Sequence, residues 1–387
     1  DPPLQPAGDR FFPVQCGQPQ RRHLGCPENG ADAAHLQCPA GGKALQRPHQ
    51  CLRQRHSDPS DTAEPMHQCV PSHGACGGNA HRRHPADLPG SAAAAVPPRV
   101  RRRICSDRGI GYWLWELEEF PKEWLPAFHL LDEVWTPSEF ISQNLRKYTD
   151  KPIYTLPYSV TAPADAAYDR DYFHLPKDRF LFLMMYDSGS GMVRKNPLGA
   201  IEAFKQAFDR ENKQVGLVIK MNRSEQSEKD IENIRTKLDG YDNIYFICET
   251  LSKTAVNSLT ACVDVFVSLH RAEGFGLVMA EAMLLGTPVI ATNWSANTEF
   301  MNRESACMVD YKKTAIEQDI PPFKKGYHWA EADVAQAAAY MKRLCEDSAF
   351  YEQKKAAAGA YIREKTKMQH SVSLLEDRLG KILEERK

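Results

Sequence analysis

The chain has 387 residues, 49 of them basic and 50 acidic. The resulting net charge of −1 excludes a general electrostatic pull toward nucleic acid or an anionic membrane surface. No stretch approaches the roughly 18 to 20 consecutive apolar residues of a membrane-spanning helix, and Asp1 to Gln20 contain no apolar core of a secretory signal. A cytoplasmic protein with room for two domains is expected, and peripheral contact with the inner face of a membrane stays open.

Composition changes sharply near residue 105. Every tryptophan and tyrosine lies beyond it, whereas the preceding residues contain a single lysine, Lys43, and a single isoleucine, Ile104, among many Pro, Arg, His, Ala and Gly. Such a stretch has too few apolar side chains to offset the entropy of ordering the chain. Three readings stay open: a disordered leader, a disulfide or zinc module, and out-of-frame translation of GC-rich coding sequence rejoining the true frame near residues 104–110. Cys16, Cys26, Cys69, Cys76, His81 and His84 make no CxxC pair or regular ligand set, which weakens the second reading. The excess of Arg, Pro, Ala, Gly, His and Cys suits the third best. Cys248, Cys262, Cys307 and Cys345 stand in apolar or helical surroundings and are expected as small buried hydrophobes in a reducing compartment.

Four regions are expected: 1–105 as a leader, 106–175 as the remnant of a first domain, 176–345 as a Rossmann-like domain, and 346–387 as closing helices. The apolar run 180–185 predicts a buried strand. Asn196-Pro197 starts a helix reaching Phe208, since proline suits a first helical turn. Strands follow at 215–220, 243–248, 264–268 and 288–291, with helices near 227–238, 252–261 and 276–285. Short continuous apolar strands alternating with helices indicate an α/β fold, a parallel sheet covered on both faces. Helical patterns at 332–346, 348–366 and 371–386 close the chain.

The densest chemical signal runs from His270 to Met283. Gly274 and Gly276 stand between a strand end and a helix start, where backbone can approach a ligand closely. Free N–H groups at that helix start suit a diphosphate. Glu273 and Glu281 flank seven residues, and Glu281, about one turn into the helix, is placed to accept from ribose hydroxyls. A second cluster, Asp187-Ser188-Gly189-Ser190 leading to Arg194 and Lys195, follows the first strand of this domain, and Lys220 ends the next. Cations at strand ends neutralise a leaving diphosphate, lysine as a point charge and arginine as a fork. Taken alone, this second cluster reads equally well as solvated surface charge.

At these residues the sequence resembles glycosyltransferase family 4, a large retaining family also described as group 1 glycosyl transferases. The Glu-x7-Glu motif is present as Glu273 and Glu281, followed by Gly286-Thr287-Pro288-Val289-Ile290-Ala291. The resemblance covers about residues 109–387 and implies the GT-B fold, with a complete C-terminal Rossmann-like domain and a truncated N-terminal one. It implies catalytic roles for Glu273, Lys195 and Lys220, and donor contacts from Arg194, Gly274, Phe275, Gly276, Leu277, Glu281 and Glu299. Many members place an arginine five residues before the lysine; here that position is Ser190, so Arg194 or Lys220 takes the part. Glu299 closes a loop, Asn293 to Glu299, where small residues replace the family's paired glycines. In the first domain Trp135 is expected in the core, Tyr112 and Trp113 at a sugar-stacking surface, and Glu116 at the cleft.

The implied partners are a nucleotide-sugar donor, as co-substrate, and a glycan or lipid-linked glycan acceptor, with no nucleic acid. No cofactor and no bound metal are implied; Asp169-Arg170-Asp171 has the spacing of a metal motif but sits in a connecting stretch. The implied chemistry is sugar transfer with retention in polysaccharide or glycoconjugate synthesis. The alternative is an inactive donor-binding remnant, because the family's glycine-rich acceptor loop and its first-domain histidine have no counterpart here.

Overall fold

The computed structural model describes residues 108–187, 191–222, 228–366 and 368–385. The leader 1–105, with its His81 and His84, and residues 188–190 of the basic cluster's approach lie outside the described residues.

The first described elements form a parallel three-stranded sheet: β1 (Ile110–Tyr112), β2 (Glu133–Thr136) and β3 (Ile153–Thr155), with β2 in the middle. A 3-10 segment, Lys122–Leu130, links β1 to β2, and α1 (Glu139–Leu145) links β2 to β3. Trp135 is buried, as its apolar setting predicts. Trp113 departs from expectation. It packs against Phe120 and Phe128 at ring-centroid distances of 5.8 and 4.8 Å, and this burial removes it from any sugar-stacking surface. Tyr112 is half-buried and donates its hydroxyl to the Leu156 carbonyl.

The second sheet is built from β4 (Phe180–Asp187), α2 (Met192–Lys195), α3 (Pro197–Ala207), β5 (Val215–Asn222), α4 (Glu228–Lys237), β6 (Ile244–Ile247), α5 (Lys253–Cys262), β7 (Val265–Ser268), α6 (Leu277–Leu284), β8 (Val289–Thr292) and β9 (Cys307–Val309). All six strands are parallel, in the order β6-β5-β4-β7-β8-β9. Strand order reverses between β4 and β7, so the crevice at their carboxyl ends is the switch point where doubly wound sheets bind ligands. Alternate residues along each strand face opposite sides. Phe182, Met184, Ile219 and Val267 meet α3 and α7 (Val334–Glu346) on one face, while Leu183, Val218 and Phe266 meet α6 and α8 (Ser348–Lys365) on the other. Burial on both faces explains why these strands read as unbroken apolar runs.

Beyond the first sheet and the short α2, neither β9 nor the hairpin that follows it was among the expected elements. β9 has three residues, too few to show a period. The antiparallel hairpin β10 (Tyr311–Ala315) and β11 (His328–Ala332) carries a fully exposed strand of mostly polar residues, which gives no apolar signal. Its loop packs Phe323 against Trp115, with Ile316 in the same cluster, and pairs Lys324 with Glu123 at 3.0 Å, while His328 at the start of β11 pairs with Glu119 at 2.8 Å. The hairpin thus ties the two sheets together. α9 (Met368–Glu384) does the same from the other end, burying Ile382 against Ile110, Trp135 and Leu156 of the first sheet. The closing helices are therefore divided in their packing, α8 on the second sheet and α9 on the first.

Candidate active site

Four segments meet at the switch point. After β4 the chain turns through α2 to Asn196, which adopts the left-handed conformation (φ 51°). Its side chain accepts from Gly199 N at 3.1 Å, starting α3, and donates to the Leu269 carbonyl at 2.9 Å, fixing the loop to the end of β7. Arg271 grips the same loop. Its N–H donates to the Arg194 carbonyl at 2.8 Å, and its guanidinium donates to the Val193 carbonyl and forks onto Glu331.

This scaffold brings Lys195 to Glu273. The ammonium lies 2.5 Å from Oε2, and Arg194, itself buried, lies 3.7 Å from the same oxygen. Arg194 also donates to the Ala272 carbonyl at 2.9 Å and lies 3.8 Å from Glu116, which joins the first sheet's side to the site. Burial would raise the Glu273 carboxyl, but the positive charges of Lys195 and Arg194 outweigh it and hold it at about 2. Glu273 is therefore an anion at every physiological pH. His270 is wholly buried, and burial pushes its imidazole below the ordinary range. It is neutral, with Ser268 at 3.1 Å and Asn297 at 3.2 Å.

The glycine turn then opens α6. Gly276 has φ +100°, a conformation open to glycine and strained for other residues. No side chain caps α6; Met279 N donates to the Gly276 carbonyl at 3.0 Å, which leaves the N–H groups of Leu277 and Val278 at the helix start without a side-chain cap. Gly274 meets a different neighbour from the expected ligand. A Cβ there would lie 3.2 Å from the Trp115 carbonyl oxygen, and its own carbonyl accepts from the Ser138 hydroxyl at 2.9 Å. The Phe275 ring packs edge-on to Tyr158 in the core, leaving its backbone as the part able to meet a ligand. Leu277 is half-buried at the helix start.

Glu281 is 5% exposed, one turn further along α6. Burial raises its carboxyl above the usual range, and Lys253, 2.5 Å away, works against that rise. Lys220 shares a sheet face with Val218 and is 2% exposed. Its ammonium donates to the Met221 carbonyl at 3.0 Å and to Asn222 Oδ1 at 2.5 Å, and burial pulls it down to about 8. The reading of Lys220 as a solvated strand end is thereby corrected.

Glu299 is engaged at the border of the two sheets. Its carboxylate accepts from the N–H groups of Glu139 and Phe140 at 3.0 and 2.8 Å, at the start of α1. Asp169 and Asp171 are held by local contacts, Asp169 accepting from Tyr172 N and Asp171 pairing with Lys177. Sequence reasoning missed Lys253, and it marked Ser295 only as part of the loop in which small residues replace paired glycines. Ser295 has φ +75° and ψ −158°, a backbone conformation suited to glycine, and its buried hydroxyl finds no hydrogen-bond partner. Strain and an orphan hydroxyl each cost about 1–3 kcal/mol, against about 1 kcal/mol for glycine's added chain entropy. Ser295→Gly is expected to raise unfolding stability by about 1–2 kcal/mol in urea titrations.

Anabaena HepE, solved with UDP and glucose, superposes with a TM-score of 0.54 at 15% identity, covering 70% of this chain and 71% of that one. Sucrose-phosphate synthase from Thermosynechococcus elongatus gives 0.53 at 18% identity, over 68% of this chain and 62% of that one. A glycosyltransferase from Rickettsia africae gives 0.53 at 15% identity, over 71% and 70%. These likenesses carry the fold, the GT-B arrangement. No curated protein matches the sequence. Residues 174–364, which hold β4 to β11 and every charged group of the crevice except Glu116, match the model described as Glycosyl transferases group 1, and this segment belongs to that glycosyltransferase family.

Proposed function

We propose that the chain transfers a sugar from a nucleoside-diphosphate sugar to a hydroxyl of a glycan or lipid-linked glycan, with retention, in polysaccharide or glycoconjugate synthesis. One observation carries the reading. Lys195 and Glu273, 78 residues apart, meet at 2.5 Å beside the open start of α6. The diphosphate lies against the first-turn amides of α6 and the ammonium groups of Lys195 and Lys220, with Arg194 behind them. Glu281 accepts from the ribose hydroxyls. Glu273 stands beside the transferred sugar.

In the transfer, the bond from the anomeric carbon to the diphosphate breaks as the acceptor oxygen attacks from the same face. The acceptor proton passes to the leaving phosphate oxygen. Lysine, arginine and helix N–H groups stabilise the charge that grows on that oxygen, so no resident metal is proposed. Work at the inner face of a membrane belongs to the same proposal; among the described residues no helix is long and apolar enough to cross one. Binding without transfer is the second reading, favoured by the three strands of the first sheet against six in the second among the described residues.

Thermal melting with UDP, GDP, ADP and their sugars tests the reading, UDP first because HepE was solved with it. A nucleoside diphosphate raises the melting temperature, and a radiolabelled sugar reaches acceptor. Nucleotide protection without transfer supports the second reading, and absence of protection by all of them sinks both. Lys220→Met sharpens the test. With its titration point lowered from 10.5 to about 8, Lys220 costs the fold stability below pH 8, and the deficit fades as pH rises to 10.5. The variant is expected to be more stable by about 1–3 kcal/mol at pH 7, with that gain shrinking toward pH 10, yet to lose nucleotide protection.

A further inference from the structure

Lys253 occupies the first position of α5, just after Ser252, whose side chain accepts from Ala255 N and starts the helix. A cation in a first turn opposes the helix dipole, so helix stability does not account for it. Its ammonium reaches across to α6 and sits 2.5 Å from Glu281 Oε1. The two side chains differ sharply in exposure, 51% for Lys253 and 7% for Glu281. The lysine is thus the solvent-facing lid of a buried carboxylate.

We propose that Lys253 is a positioning residue for ribose recognition: its ammonium holds Glu281 in the charged, acceptor-only form that takes two ribose hydroxyls at once. The proposal rests on the donor reading of Glu281 given above. A carboxylate accepts at both oxygens, whereas a protonated carboxyl uses one oxygen as a donor and loses the paired geometry. The environment of Glu281 works toward protonation. Around α6 the packed neighbours are Phe266 of β7, Val289 and Ala291 of β8, and Ala358, Tyr361 and Ile362 of α8. Among the described residues, Lys253 is the charged group whose field acts on Glu281 against its burial. The lysine acts through the glutamate, without itself needing to touch the nucleotide.

The test compares the unaltered chain, Lys253→Met and Lys253→Arg. Carboxyl carbon NMR of Glu281, without nucleotide, is expected to show a higher titration midpoint in Lys253→Met than in the unaltered chain, and in Lys253→Arg one close to that of the unaltered chain. An unchanged midpoint in Lys253→Met overturns the proposal whether or not any nucleotide binds. UDP titration is then run from pH 6 to 8. Read as a ratio to the unaltered chain, which cancels the titration of the UDP phosphate itself, Lys253→Arg is expected to keep its affinity at every pH, while Lys253→Met loses affinity as pH falls, by up to about tenfold per pH unit below its midpoint. A loss equal at all pH values marks direct contact between the lysine and the nucleotide and overturns the positioning role. A shifted midpoint with no UDP bound by the unaltered chain supports the coupling of the pair and overturns its assignment to ribose.

Discussion

Glu273→Gln is expected to reduce sugar transfer by roughly 100- to 1000-fold and to weaken the fold by about 3 kcal/mol at neutral pH. The two effects share one cause. Glu273 gathers Lys195 at 2.5 Å and Arg194 at 3.7 Å, and those cations set its carboxyl at about 2 instead of 4.5. A glutamine is isosteric but neutral, so it leaves two cations facing each other with nothing to hold them. Lys195 then loses its fixed place, and on the proposed donor-binding role it is preorganised charge beside the diphosphate that lowers the barrier. The pH dependence follows from the lowered titration point. The ionised carboxylate contributes stability that is fully present above about pH 4.5 and is lost as pH falls toward 2. Urea melts of the two proteins should therefore differ by about 3 kcal/mol at pH 7 and converge as pH drops below 5. A constant gap from pH 7 to 3 would show that glutamine disturbs packing and leaves the charge account wrong. Turnover unchanged to within a factor of two would remove Glu273 from the chemistry.

The second domain was legible because its strands are covered on both faces and its turns carry strong local rules. Phe180 to Met185 is apolar without a break because helices meet both sides of β4, and Asn196-Pro197, Ser252, Asp333 and Asp347 each start a helix by capping it. The glycine turn announced its own conformation, for Gly276 has the positive φ that glycine permits. What stayed hidden depends on contacts between distant segments. Trp113 reads as a surface aromatic in the sequence, and only the closure of Phe120 and Phe128 over it makes it core. Lys253 is an ordinary helix-start lysine until α6 brings Glu281 to it. β10 alternates no apolar residues, and its place is set by its pairing with β11 and by the 3-10 segment under the hairpin loop. Gly274 shows the same dependence: the sequence marks a point of close approach, and only the fold shows that the Trp115 carbonyl is one of the groups that come close.

Arg378→Met is expected to undock α9 from the first sheet and to cost about 3 kcal/mol of its docking stability. Arg378 and Glu133 are 6% and 0% exposed at their side chains, with Nη2 and Nε at 2.5 and 3.0 Å from one carboxylate oxygen. Its guanidinium also lies 4.3 Å from the centre of the Tyr154 ring, so the arginine is both a charge and a packing surface. Removing one partner of such a pair strands the other as a buried charge, and that penalty exceeds the net worth of the intact pair. Arg108 at 3.5 Å and the Trp135 indole at 3.1 Å remain beside Glu133, which keeps the cost at the lower end of the usual range for a broken buried pair. The remaining apolar hold of α9 is modest: Ile382 with the half-buried Leu374 and Leu379. Hydrogen exchange should therefore show the amides of 370–384 losing protection in Arg378→Met while those of β4, β5 and β7 keep theirs. The paired change Glu133→Leu with Arg378→Leu removes both charges together and should restore most of that protection, since no charge is left without a partner. Equal loss of protection across both sheets would mean that α9 supports the whole fold, and the ion pair would then be a support of the entire chain instead of a local latch. An unaltered exchange pattern would show that the apolar contacts alone hold the helix.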